Sequence, residues 1–213
     1  MSLRLALLAA LVATPALAVD PFEIQIYDGS ADAPGQAGLE VHLNHPKGGS
    51  LHVTFEPSYG ITDFWELGGY FQTAGGHYEG VKLRSKLVSP PSFDPNFRFG
   101  VNFELSRIPN EGWGGEIRPI LAWENERFLV AVNPIVSLSS SPSFEPGGMA
   151  KVKFGLFGAG LEYYASLGES EQYVYETFDV FGLKDVEVNL AIGEGLTTSS
   201  QSLVFKMILG YAF

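Results

Sequence analysis

The residues that most often carry enzymatic chemistry are sparse in this chain. Its histidines are His42, His45, His52 and His77. A nucleophilic hydrolase needs a hydroxyl or thiol beside a base that a third group orients. The nearest arrangement is His52 and Thr54, which alternation along a strand would place on one face. Threonine is a poor substitute for the serine of such sites, so we assign no catalytic residue and expect no enzymatic activity.

A metal site is conceivable where His42 and His52 would lie on neighbouring strands, near Glu40 and Glu56. Zinc accepts imidazole and carboxylate ligands, but its ligands usually recur at short, fixed spacings. These four residues show no such spacing, and the chain has no cysteine and only three methionines. We therefore expect no metal and no cofactor, and interpret the four residues as polar groups that are satisfied within the fold.

The chemical signal that the sequence does carry is charge at every second position. Lys82, Arg84 and Lys86 alternate with apolar residues, which places the three basic side chains on one face of a strand. Acidic residues gather on the preceding segments, so neighbouring strands carry opposite charges. The residues that this pattern assigns to one common face are Glu40, His42, His52, Glu56, Glu66, Lys82, Arg84, Lys86, Arg98, Glu104, Glu116, Arg118, Lys151, Lys153, Glu162, Glu187 and Lys206.

Composition excludes several other classes of protein. The 213 residues include 13 Lys and Arg against 24 Asp and Glu, which gives a net charge of −11. A nucleic-acid partner is not expected, because phosphate contacts need a basic face. Charged residues make up only 17% of the chain, while Phe and Tyr are plentiful, which argues against disorder and against a coiled coil. The absence of cysteine excludes a disulfide framework.

The first 18 residues have the layout of a signal peptide. Arg4 precedes an apolar run, and Ala16-Leu17-Ala18 supplies small residues at the −3 and −1 positions. We predict cleavage after Ala18 and export. A membrane anchor is the weaker interpretation, because the apolar run is too short to span a bilayer. The predicted organisation is a signal peptide over 1–18, a periplasmic or plug segment over 19–36, and one barrel domain over 37–213.

The rest of the chain is predicted to be all-β. Two-residue alternation recurs between clusters of turn-forming residues, in segments that are mostly longer than the ~5–6 residues common in soluble sheets. Tilted strands of ~9–11 residues cross a bilayer. Tight turns alternate with longer loops, which is typical of a single-chain transmembrane antiparallel barrel. The predicted strands, about 12 in number, are 37–45, 51–60, 64–73, 78–88, 97–107, 113–124, 127–138, 147–155, 157–167, 173–181, 185–193 and 201–213.

Two features remain outside this pattern of strands. The segment Phe22–Asp28 precedes the first strand and could be an inner plug, a periplasmic clasp or an additional strand. An even strand number favours the first two interpretations. Aromatic residues near the predicted strand ends suit the girdles of a membrane barrel, and these are Trp65, Tyr70, Trp113, Trp123 and Tyr211.

The last residues resemble the ending of bacterial outer-membrane β-barrels. Phe213 is terminal, Tyr211 lies two positions before it, and apolar residues recur at every second position further back. The strings EIQIYDG, LEVHLNH and SYGITDFWELGGYF resemble a porin- and transporter-like family of such barrels. The resemblance implies an outer-membrane location, outer-membrane lipid and the barrel-assembly machinery as partners, and Tyr211 and Phe213 as the assembly signal. The alternative is a soluble lipocalin-like barrel or sandwich.

If the apolar rows face lipid, the charged rows line a lumen, and several functions remain open. The charges could pair across a closed structural barrel that conducts nothing. They could instead line a narrow passive channel for small polar or anionic solutes, with Lys82, Arg84 and Lys86 favouring anions. Twelve strands lie between the filled eight-stranded barrels and the open porins, so size does not decide. A lipid-modifying outer-membrane hydrolase is the least favoured function. The short predicted loops argue against an adhesin.

Overall fold

The structure is a computed structural model that describes residues 19–109, 112–139 and 142–213. The predicted signal peptide lies outside the described residues. Within these ranges the regular elements are twelve strands. They are β1 (Ala37–Pro46), β2 (His52–Thr62), β3 (Trp65–Ala74), β4 (His77–Val88), β5 (Phe97–Ile108), β6 (Gly112–Glu124), β7 (Phe128–Ser137), β8 (Ser143–Phe154), β9 (Phe157–Ser166), β10 (Glu171–Leu183), β11 (Val186–Gly195) and β12 (Leu203–Ala212).

The twelve strands close into one antiparallel barrel. Each strand pairs with its neighbours in sequence, and β1 pairs with β12 over a register that runs from Gly38 opposite Ala212 to Pro46 opposite Val204. Closure leaves no strand with an unpaired edge, which is the requirement for crossing hydrocarbon with β-structure. The predicted fold class and the strand number are therefore confirmed. We call the end where β1 begins and β12 ends the near end, and the opposite end the far end.

Alternation assigns the two faces of the barrel. On β4, Lys82 and Arg84 are buried inside, whereas Leu83 between them is 68% exposed on the outside. The same contrast follows the other strands, so the outer surface is a broad band of large apolar side chains. Such a band is stable against lipid and costly in water. A soluble barrel would have the opposite arrangement, so that alternative is wrong. Glu176 on β10, with an exposed side chain among apolar neighbours, is an exception on the outer face.

Of the five aromatic residues predicted to form girdles, four lie near strand ends on the outer surface, and these are Trp65, Trp113, Trp123 and Tyr211. Trp65 donates a hydrogen bond from Nε1 to Ser85 Oγ at 3.0 Å, and Arg107 lies over the ring of Trp113. Tyr70 was predicted to belong to these girdles, and this is wrong. It is 3% exposed and lies inside the barrel, because it shares the inward row of β3 with Glu66.

Some strand boundaries differ from the predicted ones. β8 begins at Ser143, so residues predicted as a long loop belong to the strand, and Glu145 joins the inner row. β8 and β9 are joined by a tight turn in which Gly155 adopts a positive φ of 66°. Among the described residues, no helix is long and apolar enough to cross a membrane.

Candidate functional site

Residues 19–36, which we call the inner segment, lie inside the barrel. Near the far end, Thr54 Oγ1 donates to the carbonyl oxygen of Phe22 at 2.9 Å. Halfway along, the side-chain amide of Asn133 both accepts from and donates to the backbone of Tyr27, at 2.7 and 3.1 Å. At the near end, the Gly35 amide donates to the carbonyl oxygen of Gly60 at 2.8 Å. The segment Phe22–Asp28 therefore lies within the lumen, and it is not an additional strand of the barrel.

The inner segment can lie this close to the wall because Gly60 has no side chain. A Cβ at position 60 would overlap the carbonyl oxygens of Asp32 and Ala33. Beside it, Ser58 Oγ donates to an Asp32 carboxylate oxygen at 2.5 Å, and the Asp32 amide donates to Glu66 at 2.7 Å. The near end of the inner segment is therefore fitted to the inward rows of β2 and β3.

The basic ladder of β4 is ion-paired along its length. Lys82 Nζ lies 2.7 Å from Asp20, 3.1 Å from Glu23 and 3.2 Å from Glu104. The ladder's other pairs are Arg84 with Glu56 at 2.7 Å, Arg84 with Glu66 at 2.6 Å, and Lys86 with Glu66 at 3.0 Å. The acidic rows of β2 and β3 and the inner segment together neutralise the ladder. Such pairs form across neighbouring strands because like-facing residues lie close together.

Glu23 links the inner segment to β4 and β6 of the barrel wall. Its carboxylate lies 2.8 Å from Arg118 and 3.1 Å from Lys82, and it accepts hydrogen bonds from Tyr27 and Tyr70 at 3.1 and 3.2 Å. Burial alone raises the pKa of Glu23, but the charges of Arg118 and Lys82 outweigh burial and hold this pKa well below its ordinary value. Glu23 is therefore ionised at neutral pH and is a central anchor of the inner segment.

Tyr27 supplies the main aromatic contact of the inner segment. Its hydroxyl lies 2.6 Å from the Tyr70 hydroxyl, and its ring lies beneath Arg118 at 4.5 Å. Cation–π contacts strengthen when water is excluded, as it is around these buried groups. Toward the near end, Arg98 forms ion pairs with Asp28 at 3.3 Å and with Glu124.

A second charged cluster lies on β8 to β12. Lys151 lies 3.0 Å from Glu162 and 3.1 Å from Asp179, and Lys206 lies 2.5 Å from Glu162. Tyr164 donates to the same glutamate at 2.7 Å. The four charged groups of this cluster all lie on wall strands, and beside them Ile24 and Ile26 of the inner segment belong to a buried apolar cluster with Tyr164 and Tyr175. Charged contacts therefore tie the inner segment to β2–β7, and apolar contacts tie it to β8–β12.

The space between the inner segment and this second cluster is a cavity of about 180 Å³. Its lining combines charged groups such as Glu40, Lys86 and Glu187 with apolar ones such as Leu129 and Ile208. A polar cavity of this size holds several water molecules. It is a part of the lumen that the inner segment leaves open.

All seventeen residues assigned to one face in the sequence lie on the inward rows of their strands. The ion pairs bring most of them together. His42 contacts Glu40 and Glu56, but His52 packs edge-on against the Phe22 ring at 4.8 Å instead. The Thr54 hydroxyl is bonded to a backbone carbonyl, so His52 and Thr54 form no nucleophile–base pair.

Sequence reasoning missed several residues of this lumen. Asp20, Glu23, Tyr27, Asp28 and Asp32 belong to the inner segment, whose partners are far away in the chain. Asp179 was missed because β10 alternates poorly: Glu176 faces outward while Tyr173 and Tyr175 face inward. The inward row of β10 contains two tyrosines besides Asp179, so it does not show the polar pattern by which the other inward rows were recognised.

The fold is that of outer-membrane porins. No family model matches the chain, and no curated protein matches it. Among solved structures, a KdgM porin is 14% identical with a TM-score of 0.64, covering 83% of this chain and 99% of its own. The COG4313 outer membrane channel from Pseudomonas putida F1 is 12% identical with a TM-score of 0.67, covering 90% and 100%. A NanC porin is 10% identical with a TM-score of 0.63, covering 82% and 98%. KdgM has also been solved in complex with disordered oligogalacturonate. The porin-like outer-membrane barrel predicted from the sequence is thus confirmed as a fold.

Proposed function

We propose that this chain is a narrow passive channel of the bacterial outer membrane, whose lumen is constricted by its own inner segment. The observation that carries the proposal is the polar cavity of about 180 Å³ beside the inner segment. Small polar solutes pass along the cavity, between the inner segment and β9–β12. A lumen lined with fixed charges attracts water and polar solutes, whereas apolar solutes gain nothing there.

The solute class follows from how the charges are paired. The sequence favours anions because of the ladder Lys82, Arg84 and Lys86. In the structure each of these bases has carboxylate partners within 3.2 Å, which balances most of its charge. We therefore propose that the channel passes small polar solutes. Any preference for anions depends on the charge of the ladder that its carboxylate partners leave unbalanced at the cavity. Lys86 and Arg84 border the cavity, so this influence is measurable.

The location and partners belong to the same proposal. An apolar outer band and porin-type neighbours support outer-membrane lipid as the surroundings. Export through the predicted signal peptide would deliver the chain to the periplasm. The proposed signal for the barrel-assembly machinery consists of Tyr211 and Phe213. Their rings pack edge-to-face at 4.8 Å at the near end.

A non-conducting structural barrel is the second candidate function. It is favoured by the dense ion pairs between the inner segment and the walls, such as Glu23 with Arg118. In this case the cavity holds water but leads nowhere. No residue pair in the described lumen suggests catalysis, and we propose no enzymatic activity.

Conductance of the refolded protein in a planar bilayer separates these functions. Folding is first verified by the heat-dependent gel shift of an intact barrel. The channel proposal predicts small, steady conductance steps. Replacing the ladder bases by glutamine (Lys82→Gln, Arg84→Gln, Lys86→Gln) should shift the reversal potential toward cation selectivity.

The matched control removes three bases from loops and turns, where they are exposed: Lys47→Gln, Arg127→Gln and Lys184→Gln. This control changes the net charge equally but leaves the lumen unaltered, so its reversal potential should not move. A folded barrel that stays silent contradicts the channel and supports the structural function. An equal shift in both triple variants contradicts the proposed role of the ladder.

A further inference from the structure

We infer that Glu40, His42 and Glu56 form a binding site for a divalent transition-metal ion, with Zn²⁺ as the ion that best suits its ligands. His42 is fully buried on the inward row of β1, between a carboxylate from its own strand and one from β2. Its Nε2 lies 3.0 Å from Glu40 Oε2 and 3.2 Å from Glu56 Oε2. One ligand atom from each of the three residues lies within 4.8 Å of the other two.

A proton alone leaves this cluster incompletely satisfied. A hydrogen on Nε2 can point at one acceptor well, and it is shared with Glu40. Glu56 Oε2 then has no hydrogen-bond partner, although it is buried and directed at His42. A buried carboxylate oxygen without a donor is costly. A metal ion between the three groups would contact all three ligand atoms at once.

The spacing also suits a small divalent ion. Zinc binds imidazole nitrogen and carboxylate oxygen at ~2.0–2.2 Å, so neighbouring ligand atoms in a tetrahedral site are about 3.3–3.5 Å apart. The two measured separations of 3.0 and 3.2 Å are within a few tenths of an ångström of this value. An imidazole with two carboxylates favours zinc over calcium or magnesium, which take oxygen ligands.

The inner segment offers a fourth ligand. Gln25 donates from Nε2 to Glu40 Oε2 at 3.0 Å, while its own Oε1 is buried without a partner. Rotating the amide by 180° exchanges these two atoms and turns the oxygen toward the metal. Arg84, 2.7 Å from the other oxygen of Glu56, orients that carboxylate from outside the site. A bound ion would therefore join the inner segment to β1 and β2.

Two properties distinguish Glu40, His42 and Glu56 from a second acidic cluster of the lumen: an ion can reach them from the cavity, and no lysine or arginine of the described residues lies between them. The Glu40 side chain is 35% exposed and borders the cavity, which gives an ion a path to the site. A second group of three carboxylates, Glu23, Glu104 and Glu116, is equally compact. There, however, Lys82 and Arg118 already occupy the space between the carboxylates, so a metal ion would have to displace two cations.

Calorimetric titration of the folded protein with Zn²⁺ in detergent, after treatment with a chelator, tests the inference. We expect one Zn²⁺ per chain and a higher thermal midpoint when Zn²⁺ is present. His42→Gln should weaken binding by more than tenfold and remove the thermal shift. His45→Gln is the matched control, because it removes an imidazole from the outer face of the same strand.

Glu40→Gln is the second test variant, in case His42→Gln does not fold. It changes a partly exposed side chain at the cavity edge and should also weaken binding at least tenfold. The inference is overturned by the absence of stoichiometric binding to the folded protein, or by binding that either variant leaves unchanged. Since binding is measured in detergent, a silent channel in the bilayer experiment would not affect this result.

Discussion

The strength with which the inner segment is held can be tested at Glu23. Replacing it by glutamine keeps the shape of the side chain but removes the charge that lies 2.8 Å from Arg118 and 3.1 Å from Lys82. Breaking a buried ion pair costs about 3–5 kcal/mol. Both bases keep another carboxylate in Glu23→Gln, so we take the lower value of about 3 kcal/mol. This corresponds to an increase of about 100-fold in the undocked fraction of the inner segment.

Thiol labelling measures that fraction, because the chain has no cysteine of its own. Ile26→Cys places a reporter at a position that is 6% exposed on the inner segment. A membrane-impermeant maleimide reaches it only during undocking, so the labelling rate follows the undocked fraction. Adding Glu23→Gln to the reporter should raise the rate by about 100-fold. Glu126→Gln, in an exposed turn, is the control and should leave the rate unchanged. A change of less than threefold with Glu23→Gln, or an equal rise in the control, would refute the anchoring role.

Three further predictions concern the same assembly. Gly60→Ala places a methyl group against the Asp32 and Ala33 carbonyls, at an overpacking cost of about 1–3 kcal/mol, so labelling of the Ile26→Cys reporter should rise by about fivefold or more. The pKa of Glu23 is depressed in the docked state, so its ionised carboxylate stabilises docking fully above the ordinary pKa of 4.5. This stabilisation is lost as the pH falls from 4.5 toward the depressed pKa. Conductance should therefore rise on acidification below pH 4.5 in the wild type, and much less in Glu23→Gln. Deleting Phe213 should reduce the heat-shifted, assembled barrel in membranes of expressing cells, and unchanged insertion would count against the proposed assembly signal.

Alternation was enough to predict the barrel. In segments such as Val81–Val88 the polar and apolar rows are distinct, and strand length separated a membrane barrel from a soluble sheet. The row assignment failed where the inward side chains are aromatic, as at Tyr70 and along β10. Both tyrosine and tryptophan suit a membrane interface, and tyrosine also suits a hydrogen-bonded lumen, so residue type alone could not distinguish the two positions.

The inner segment could not be placed from its sequence. FEIQIYD alternates like a strand, and its partners Lys82, Arg118 and Asn133 are 59 to 106 residues away in the chain. The three proposed metal ligands were among the four residues that the sequence offered for a metal site, but their spacing along the chain gave no reason to prefer them. Glu40 and His42 are two positions apart, but Glu56 joins them only through the register that sets it opposite Glu40. Cross-strand register, and not spacing along the chain, assembles the site.

Single-channel conductance with and without the inner segment tests the central claim most directly. Protein refolded from residues 19–213 is compared with protein refolded from residues 34–213, after the gel shift has verified both barrels. The account predicts a low conductance for the longer chain and a several-fold higher conductance for the shorter one, because removing residues 19–33 clears the lumen around Lys82 and Arg118. Equal conductance in the two proteins would contradict the claim that the inner segment constricts the channel.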